Sequence, residues 1–216
     1  GIIVVAVVLL AGALTLGAEA PSYRDGSYIG YVPGDQDDVA IEVVIQFGII
    51  VDVNMINPDK PGDDKPEAAK ALFLEYPLMV VKNQKAEIDG VSGATQYVKA
   101  TQMALDIASG KYTGNVYYGL AKNPKHGHVL LAVTVEDKKV TKVEFICKKT
   151  KSDLLMEAKP PDYKNKAAKK FFDEFPDIAV RVQTDLKKID AISGATNSFR
   201  QYTHAYETAL KQAGLL

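Results

Sequence analysis

A seven-residue motif whose residue types suit a phosphate group occurs twice in the chain. The first copy contains Asp89, Ser92, Gly93, Ala94 and Thr95, and the second contains Asp190, Ser193, Gly194, Ala195 and Thr196. Each copy precedes a predicted helix, whose first turn exposes unpaired backbone N–H groups and the positive end of the helix dipole. The glycine lets the backbone approach a ligand closely, and the threonine adds a hydroxyl at that point. The pattern predicts a site for a phosphate, either bound to the turn or esterified to the threonine.

Simpler interpretations of the same residues stay open. Ser or Thr before a helix is most often an N-cap, which stabilises the protein by about 1 kcal/mol. Asp89 and Asp190 either orient the acceptor hydroxyl or bond their own backbone in a turn. Ser92 and Ser193 either contact the phosphate or act as local caps. Capping alone does not explain why the whole motif recurs, although common descent of two repeats explains part of the identity.

The motif belongs to a longer repeat. Residues 68–77 (AAKALFLEYP) return as residues 167–176 (AAKKFFDEFP), at an offset of 99, whereas the two motif copies are 101 residues apart. Tyr28 and Gly30 have counterparts upstream of the second motif in Tyr117 and Gly119. Three blocks in the same order indicate a tandem duplication with a boundary near residues 111–114. We therefore predict one domain over residues 21–112 and a second over residues 113–216.

The same order of elements is predicted in each repeat. Two β-rich runs come first, at 39–47 and 49–56 and then at 129–135 and 140–147, with the charged residues 136–139 forming a hairpin turn in the second copy. An amphipathic helix follows near 66–76 and 165–175, and Pro77 and Pro176 are predicted to end it. Short strands are expected at 78–82 and 178–183, and final helices at 95–109 and 196–213. Hairpin strands with helices interspersed predict an α+β fold.

Composition excludes several kinds of chemistry. The chain has 26 Lys and Arg against 27 Asp and Glu, which argues against a nucleic-acid partner. The one cysteine, Cys147, excludes an internal disulfide framework, cysteine-ligated zinc, iron–sulfur clusters and c-type haem. His126 and His128 are interpreted as residues of a solvated loop, and no metal site is expected. No dinucleotide-binding loop, P-loop or nucleophile elbow occurs, so no catalytic residues are assigned.

Both motif copies resemble the flavinylation motif of the FMN-binding domain family, which includes the covalent-flavin subunits of Rnf and sodium-pumping NADH:quinone oxidoreductase complexes. Residues 25–30 (DGSYIG) also resemble the family's opening sequence, which is weaker in the second copy at residues 114–117 (GNVY). The family often has Ser or Thr two places after the acceptor, as at Ser198, whereas the first copy has Tyr97. The resemblance covers roughly residues 23–216, as two units.

That resemblance implies covalent flavin. In the family, a flavin transferase attaches FMN through its phosphate to the motif threonine, outside the cytoplasm in bacteria. If the family's acceptor threonine is carried over to this chain, the resemblance implies that Thr95 and Thr196 are the acceptors and that the chain holds two FMN groups. The other motif residues would form the cofactor-binding site around them. Tyr28, Tyr31, Tyr117 and Tyr118 either stack on the flavin ring or, as is commoner for tyrosines near hairpins, serve packing.

The first 18 residues form an uncharged apolar segment. As a helix they rise about 27 Å, close to the roughly 30 Å hydrocarbon core of a bilayer. A retained transmembrane anchor over residues 1–20 is favoured over a signal peptide, for which residues 18–20 fit the cleavage site only loosely. The body is then expected on the extracytoplasmic side of the cell membrane.

Together these features predict a membrane-anchored electron carrier with two covalent FMN groups, working beside other subunits of a membrane redox complex. We expect the protein to act as an electron-carrier subunit of an oxidoreductase complex rather than as a stand-alone enzyme. Two alternatives stay open. One is a membrane-tethered binding or scaffold module in which the motif only caps helices, and the other is a terminal flavin reductase of a small molecule.

Overall fold

The computed structural model describes residues 23–34, 38–58, 67–88, 94–149, 153–190 and 195–216. The first half, residues 23–112, contains β1 (Gly26–Val32), β2 (Val39–Gln46), β3 (Ile49–Asn57), α1 (Glu67–Asn83) and α2 (Thr95–Ser109). The second half, residues 113–216, contains β4 (Val116–Ala121), β5 (Val129–Glu136), β6 (Lys139–Ile146), α3 (Lys166–Val182) and α4 (Thr196–Gln212), with a short 3-10 turn at Leu186–Lys188. The α+β class predicted from the sequence is confirmed.

Each half forms an antiparallel three-stranded sheet, in the orders β1-β2-β3 and β4-β5-β6. The turns between the second and third strands need positive φ angles, which are found at Phe47 and Gly48 and at Asp137 and Lys138. Both sheets have a register shift two residues before their second strand ends, after Val44 in β2 and after Thr134 in β5. The two hairpins are therefore built alike, and their predicted positions are confirmed to within one residue.

Two helices cover one face of each sheet. Buried residues of β2 and β3 pack against α1 and α2 in one core, and those of β5 and β6 pack against α3 and α4 in another. The last helix of each half lies almost on the backbone of the first strand. A Cβ on Gly30 would lie 1.7 Å from the Ala100 carbonyl oxygen, and one on Gly119 would lie 1.8 Å from that of Ala205. Only glycine fits at these two positions, which explains why both halves of the chain contain it there.

The helices at the two prolines differ from the prediction. α1 continues through Pro77 to residue 83 and α3 through Pro176 to residue 182, so the strands expected at 78–82 and 178–183 are wrong. A proline inside a helix costs about 3 kcal/mol. The turn after Pro77 buries Val80 completely, and the turns after Pro176 bury Ala179 and Val182. A fully buried valine side chain contributes about 1.5–3 kcal/mol, and an alanine methyl group about 0.8 kcal/mol. Packing against the sheet therefore outweighs the local preference.

The other faces of the two sheets meet between the halves. Residues from both sheets form this third core: Ile29, Tyr31, Ala40, Ile56, Leu120, Leu130 and Leu155. Tyr31 and Tyr118 pack with their ring centroids 4.8 Å apart. Of the two roles considered for Tyr31 and Tyr118, stacking on a flavin ring or packing, the structure shows packing.

A buried polar network closes one end of this junction. Asp38, fully buried, accepts hydrogen bonds from the Tyr31 hydroxyl at 2.7 Å and from Lys149 Nζ at 2.8 Å. Asn57 Nδ2 donates to the Asp38 carbonyl at 2.8 Å and to Asp153 Oδ1 at 3.2 Å. Burial opposes ionisation of Asp38, but the bonds from Lys149 and Tyr31 outweigh it and hold the pKa of the carboxyl below its usual value. These contacts fix the halves to each other.

Within the described ranges, none of the helices has both the length and the apolar character needed to cross a bilayer. Residues 1–20, where the anchor is predicted, lie outside those ranges, and the anchor stays a prediction.

Candidate functional site

The two candidate acceptors occupy the same position in their halves. Thr95 is the first residue of α2 and Thr196 the first residue of α4. The N-cap residues are Ala94 and Ala195, which make no side-chain cap bond. In α3, by contrast, the N-cap Asn165 accepts a hydrogen bond from Ala168 N at 3.0 Å through its side chain. The threonines are thus helical residues rather than N-caps, which counts against a purely capping role for them.

Backbone N–H groups of the first helical turn surround each threonine. The first intrahelical bonds run from Val98 N to the Ala94 carbonyl and from Phe199 N to the Ala195 carbonyl, both at 2.8 Å. The amides of residues 95–97 and 196–198 therefore have no carbonyl partner within their own helix. Together with the helix dipole they favour an anionic group at this end of α2 and α4.

The threonine side chains are exposed, whereas the preceding alanines are 2% exposed and fix the start of each helix in the core. Asp190 is exposed on the segment that leads to the second motif. The candidate residues Asp89, Ser92, Gly93, Ser193 and Gly194 lie outside the described residues, and their roles stay predictions. Both acceptor hydroxyls are accordingly reachable by a modifying enzyme.

A cavity of about 780 Å³, here named the acceptor pocket, opens beside the first turns of α4. Its lining comes mainly from three segments of the second half, namely residues 123–128, residues 153–160 and the α4 residues Asn197, Ser198, Gln201 and Tyr202, and Lys148, Tyr163, Asn165 and Ala168 complete it. Ligand pockets for small organic molecules usually measure about 300–1,000 Å³. The acceptor pocket therefore has the size needed for an aromatic ring system tethered one residue before Asn197.

The lining of the acceptor pocket combines cations with aromatic rings. Lys125, Lys148 and Lys159 line it, and Lys159 Nζ lies 4.7 Å from the centre of the Tyr163 ring. Tyr202 lies at the back, stacked on Phe171 with ring centroids 5.5 Å apart. Burial raises the pKa of the Tyr202 hydroxyl, so this residue stays neutral at physiological pH. The pocket thus offers flat apolar surface and positive charge, which suit a planar ring system that carries an anion.

His126, His128 and Cys147 have modest roles in the structure. His126 is exposed on a turn at the rim of the acceptor pocket. His128 Nδ1 accepts a hydrogen bond from Asn123 N at 2.8 Å and so shapes the same loop. Cys147 is half-buried after β6, and burial raises the pKa of its thiol despite the opposing charge of Lys159. Among the described residues no three His, Cys, Asp or Glu side chains cluster as a metal site would require.

The arrangement of the second half thus fits FMN: a hydroxyl at a helix start, backbone amides without a partner in their own helix, and an adjoining pocket for a ring system. Comparison with protein families agrees with it. Residues 125–211 match the model of the FMN-binding domain family. The match spans β5, β6, α3 and almost all of α4, and it includes Thr196 and nearly the whole acceptor pocket. It covers less than half of the chain and supports membership of that family and a flavin-binding role. No curated protein and no solved structure matches the chain.

Sequence inspection found the threonines but not the pocket. Lys159 and Tyr163 lie in residues 153–165, an irregular segment whose side chains show no periodicity. Their position depends on contacts with distant residues, such as the bond from Met156 N to the His128 carbonyl at 2.8 Å. The only local signal was the unusual length of the segment between β6 and α3.

Proposed function

We propose that the protein is an electron-transfer flavoprotein that carries two FMN groups, each esterified through its phosphate to a threonine. The acceptors are Thr95 and Thr196. The observation that carries the proposal is that the family match includes Thr196, which is exposed at the start of α4 beside the acceptor pocket.

A second flavin, on Thr95, is supported by the likeness of the halves. Gln84 and Gln183, which follow α1 and α3, both have a positive φ and bond the third strand in the same way. Gln84 accepts from Ile50 N at 2.7 Å and donates to the Ile50 carbonyl at 2.9 Å, and Gln183 makes both bonds to Val140 at 2.9 Å. Together with the matching hairpins, this recurrent detail favours a tandem duplication with an equivalent acceptor in each half.

Bound FMN would supply one- and two-electron redox chemistry, and the chain's residues would hold and orient it. The Thr196 ester would fix the phosphate at the unpaired amides of α4. Tyr202 and Tyr163 would pack against the ring system, and the nearby Lys159 would favour negative charge on it.

Membrane attachment and partners complete the proposal. Residues 1–18 would anchor the chain, with the body outside the cytoplasm, where a covalent bond prevents loss of the flavin by diffusion. A flavin transferase would mature the protein, and other subunits of a membrane redox complex would donate and accept the electrons. The two flavins would form a relay between them.

Single substitutions of the acceptors test the proposal. The full chain is co-produced with a flavin transferase, and covalent flavin is read as fluorescence of the denatured protein band. Thr196→Val and Thr95→Val should each remove about half of the signal, and the double variant should remove all of it. Thr184→Val, at an exposed threonine outside the motifs, is the matched control and should keep the full signal. Fluorescence that survives in the double variant would contradict the proposal.

A further inference from the structure

A second cavity, here named the junction pocket, lies beside α4 and shares Gln201 of its lining with the acceptor pocket. It measures about 730 Å³ and lies where the two halves meet. The first half contributes the start of β1, residues 25–28, and Glu42 of β2. The second half contributes the end of β4, residues 120–122, and one face of α4: Arg200, Gln201, His204, Thr208, Lys211 and Gln212. The pocket therefore depends on the packing of the halves against each other.

The two lysines that line the junction pocket have carboxylate partners. Lys122 Nζ lies 2.6 Å from Glu42 Oε2, and Lys211 Nζ lies 2.7 Å from Glu207 Oε1. The Asp25 carboxylate accepts a hydrogen bond from Gly48 N at 2.8 Å. Among the described residues, no carboxylate lies within ion-pair distance of Arg200. In the part of the chain that the structure describes, the Arg200 guanidinium is thus a cation of the lining without a carboxylate partner.

His204 lies one helical turn after Arg200, so the two side chains are neighbours on the same face of α4. An imidazole N–H and the forked N–H groups of a guanidinium can donate together to one carboxylate, and the guanidinium binds it in a bidentate manner. The wall of the pocket therefore suits a single, compact anionic group.

The floor of the junction pocket is apolar. Tyr28, Leu120 and Ala121 are 7%, 5% and 3% exposed, and their residual surface faces the cavity. The Gln212 side chain is held in place at this floor, because it accepts from Ile29 N at 3.0 Å and donates to the Tyr118 carbonyl at 2.6 Å. A ligand body in this position would gain from apolar contact and would find few partners for polar groups of its own.

We propose that the junction pocket binds a small organic monoanion, a carboxylic acid with a flat apolar body. The carboxylate pairs with Arg200 and His204, and the body lies on Tyr28, Leu120 and Ala121. A single unmatched cation suits one negative charge and disfavours nucleoside di- and triphosphates, whose further charges would meet Glu42 and Asp25. Gln201 lines both pockets, so the bound acid lies next to the acceptor pocket along α4. The site stands on its own residues and does not require flavin.

Binding of 2-naphthoate tests this site, with 2-naphthamide as its neutral isostere. The full chain is titrated with each compound by isothermal calorimetry, in protein produced with and without a flavin transferase. Naphthoate should bind in both preparations, and naphthamide at least about tenfold more weakly, because a charge-assisted bond is lost. Arg200→Gln should weaken naphthoate by about ten- to a hundredfold. The matched control Arg181→Gln, at an exposed arginine on α3, should leave the affinity unchanged.

A second variant tests the pocket independently, in case the arginine substitution alters the structure. Thr208→Tyr places a larger side chain in the cavity from the exposed side of α4 and should abolish naphthoate binding while the melting temperature stays within a few degrees. The proposal is overturned if naphthoate does not bind at millimolar concentration, if naphthamide binds as tightly, or if Arg200→Gln binds as well as the wild type. Because flavin-free protein is included, these results are independent of whether the threonines carry FMN.

Discussion

Gly119→Ala should displace α4 and thereby lower both stability and flavin attachment at Thr196. The added Cβ would lie 1.8 Å from the Ala205 carbonyl oxygen, and contacts under 3.0 Å essentially do not occur. The helix would have to move away from β4 by at least 1.2 Å, the difference between these distances. The obstacle is a backbone atom of a buried helix, so no side-chain rotation can relieve it.

Overpacking of this kind costs about 1–3 kcal/mol. In a chain of this size each kcal/mol lowers the melting temperature by about 2–4 °C, so a cost near 2 kcal/mol gives a loss of about 4–8 °C. The assay is thermal unfolding followed by circular dichroism, with covalent flavin at each threonine quantified by peptide mass spectrometry. Occupancy of Thr196 should fall, because Thr196 begins the displaced helix, while occupancy of Thr95 should not change.

Gly30→Ala provides the reciprocal variant. Its Cβ would lie 1.7 Å from the Ala100 carbonyl oxygen, so it should cause a similar loss of stability and reduce flavin at Thr95 only. Gly214→Ala is a steric control, because an added Cβ there meets nothing within 4 Å and the only penalty is the positive φ of 67°. A Gly119→Ala protein that melts within about 1 °C of the wild type, with full occupancy of Thr196, would refute the reasoning.

Three further predictions concern stability. Gln183→Leu should cost about 1–3 kcal/mol in urea unfolding, because the N–H and carbonyl of Val140 lose their partners; a cost below about 0.5 kcal/mol would contradict the assigned bonds. Asp38→Asn should lower the free energy of unfolding at pH 7 by about 1.5–3 kcal/mol, since it weakens the charged bond to Lys149. The pKa of Asp38 is lower in the folded state than its unfolded value of about 3.9, so its stabilisation is present above that pH and is lost as the pH falls through the folded pKa. Unfolding curves of wild type and Asp38→Asn should therefore converge in strong acid, and a constant difference down to pH 2 would count against this. Phe171→Ala should cost about 3–5 kcal/mol, because the side chain is fully buried among aromatic rings, and a two-state denaturation curve measures it.

The hairpins and the helices that begin at the threonines could be predicted because their signals are local. The turn at Asp137 and Lys138 is charged, flanking residues alternate, and Thr95 and Thr196 each begin a predicted helix. The predicted helix over residues 95–109 coincides with α2, and that over 196–213 ends one residue beyond α4.

The misjudged elements are those where distant contacts override local preference. Proline usually ends a helix, but Pro77 lies inside α1 because Tyr76 and Val80 on either side are completely buried against the first half's core. The strands β1 and β4 were not predicted as strands, since each contains a glycine in its interior, which weakens a strand in isolation. Gly30 and Gly119 are required there by the helix backbone that crosses them, and no local pattern reveals such a crossing.

For the candidate site, the sequence alone pointed to Thr95 and Thr196 as candidate acceptors and suggested the cofactor through the recurrent motif. It did not locate the acceptor pocket or the junction pocket. Arg200 illustrates the reason, because its significance lies in the absence of a carboxylate partner among the described residues and in the apolar floor opposite, which another strand supplies. Such features appear only once the halves are packed together.

The central claim, covalent FMN on Thr95 and Thr196, is tested most directly by the intact mass of the full chain purified from its native host. We expect a mass that exceeds the unmodified chain by two FMN phosphoester adducts, and fragment ions that place one adduct on each threonine. An unmodified mass in colourless protein, or adducts on residues other than Thr95 and Thr196, would contradict the account.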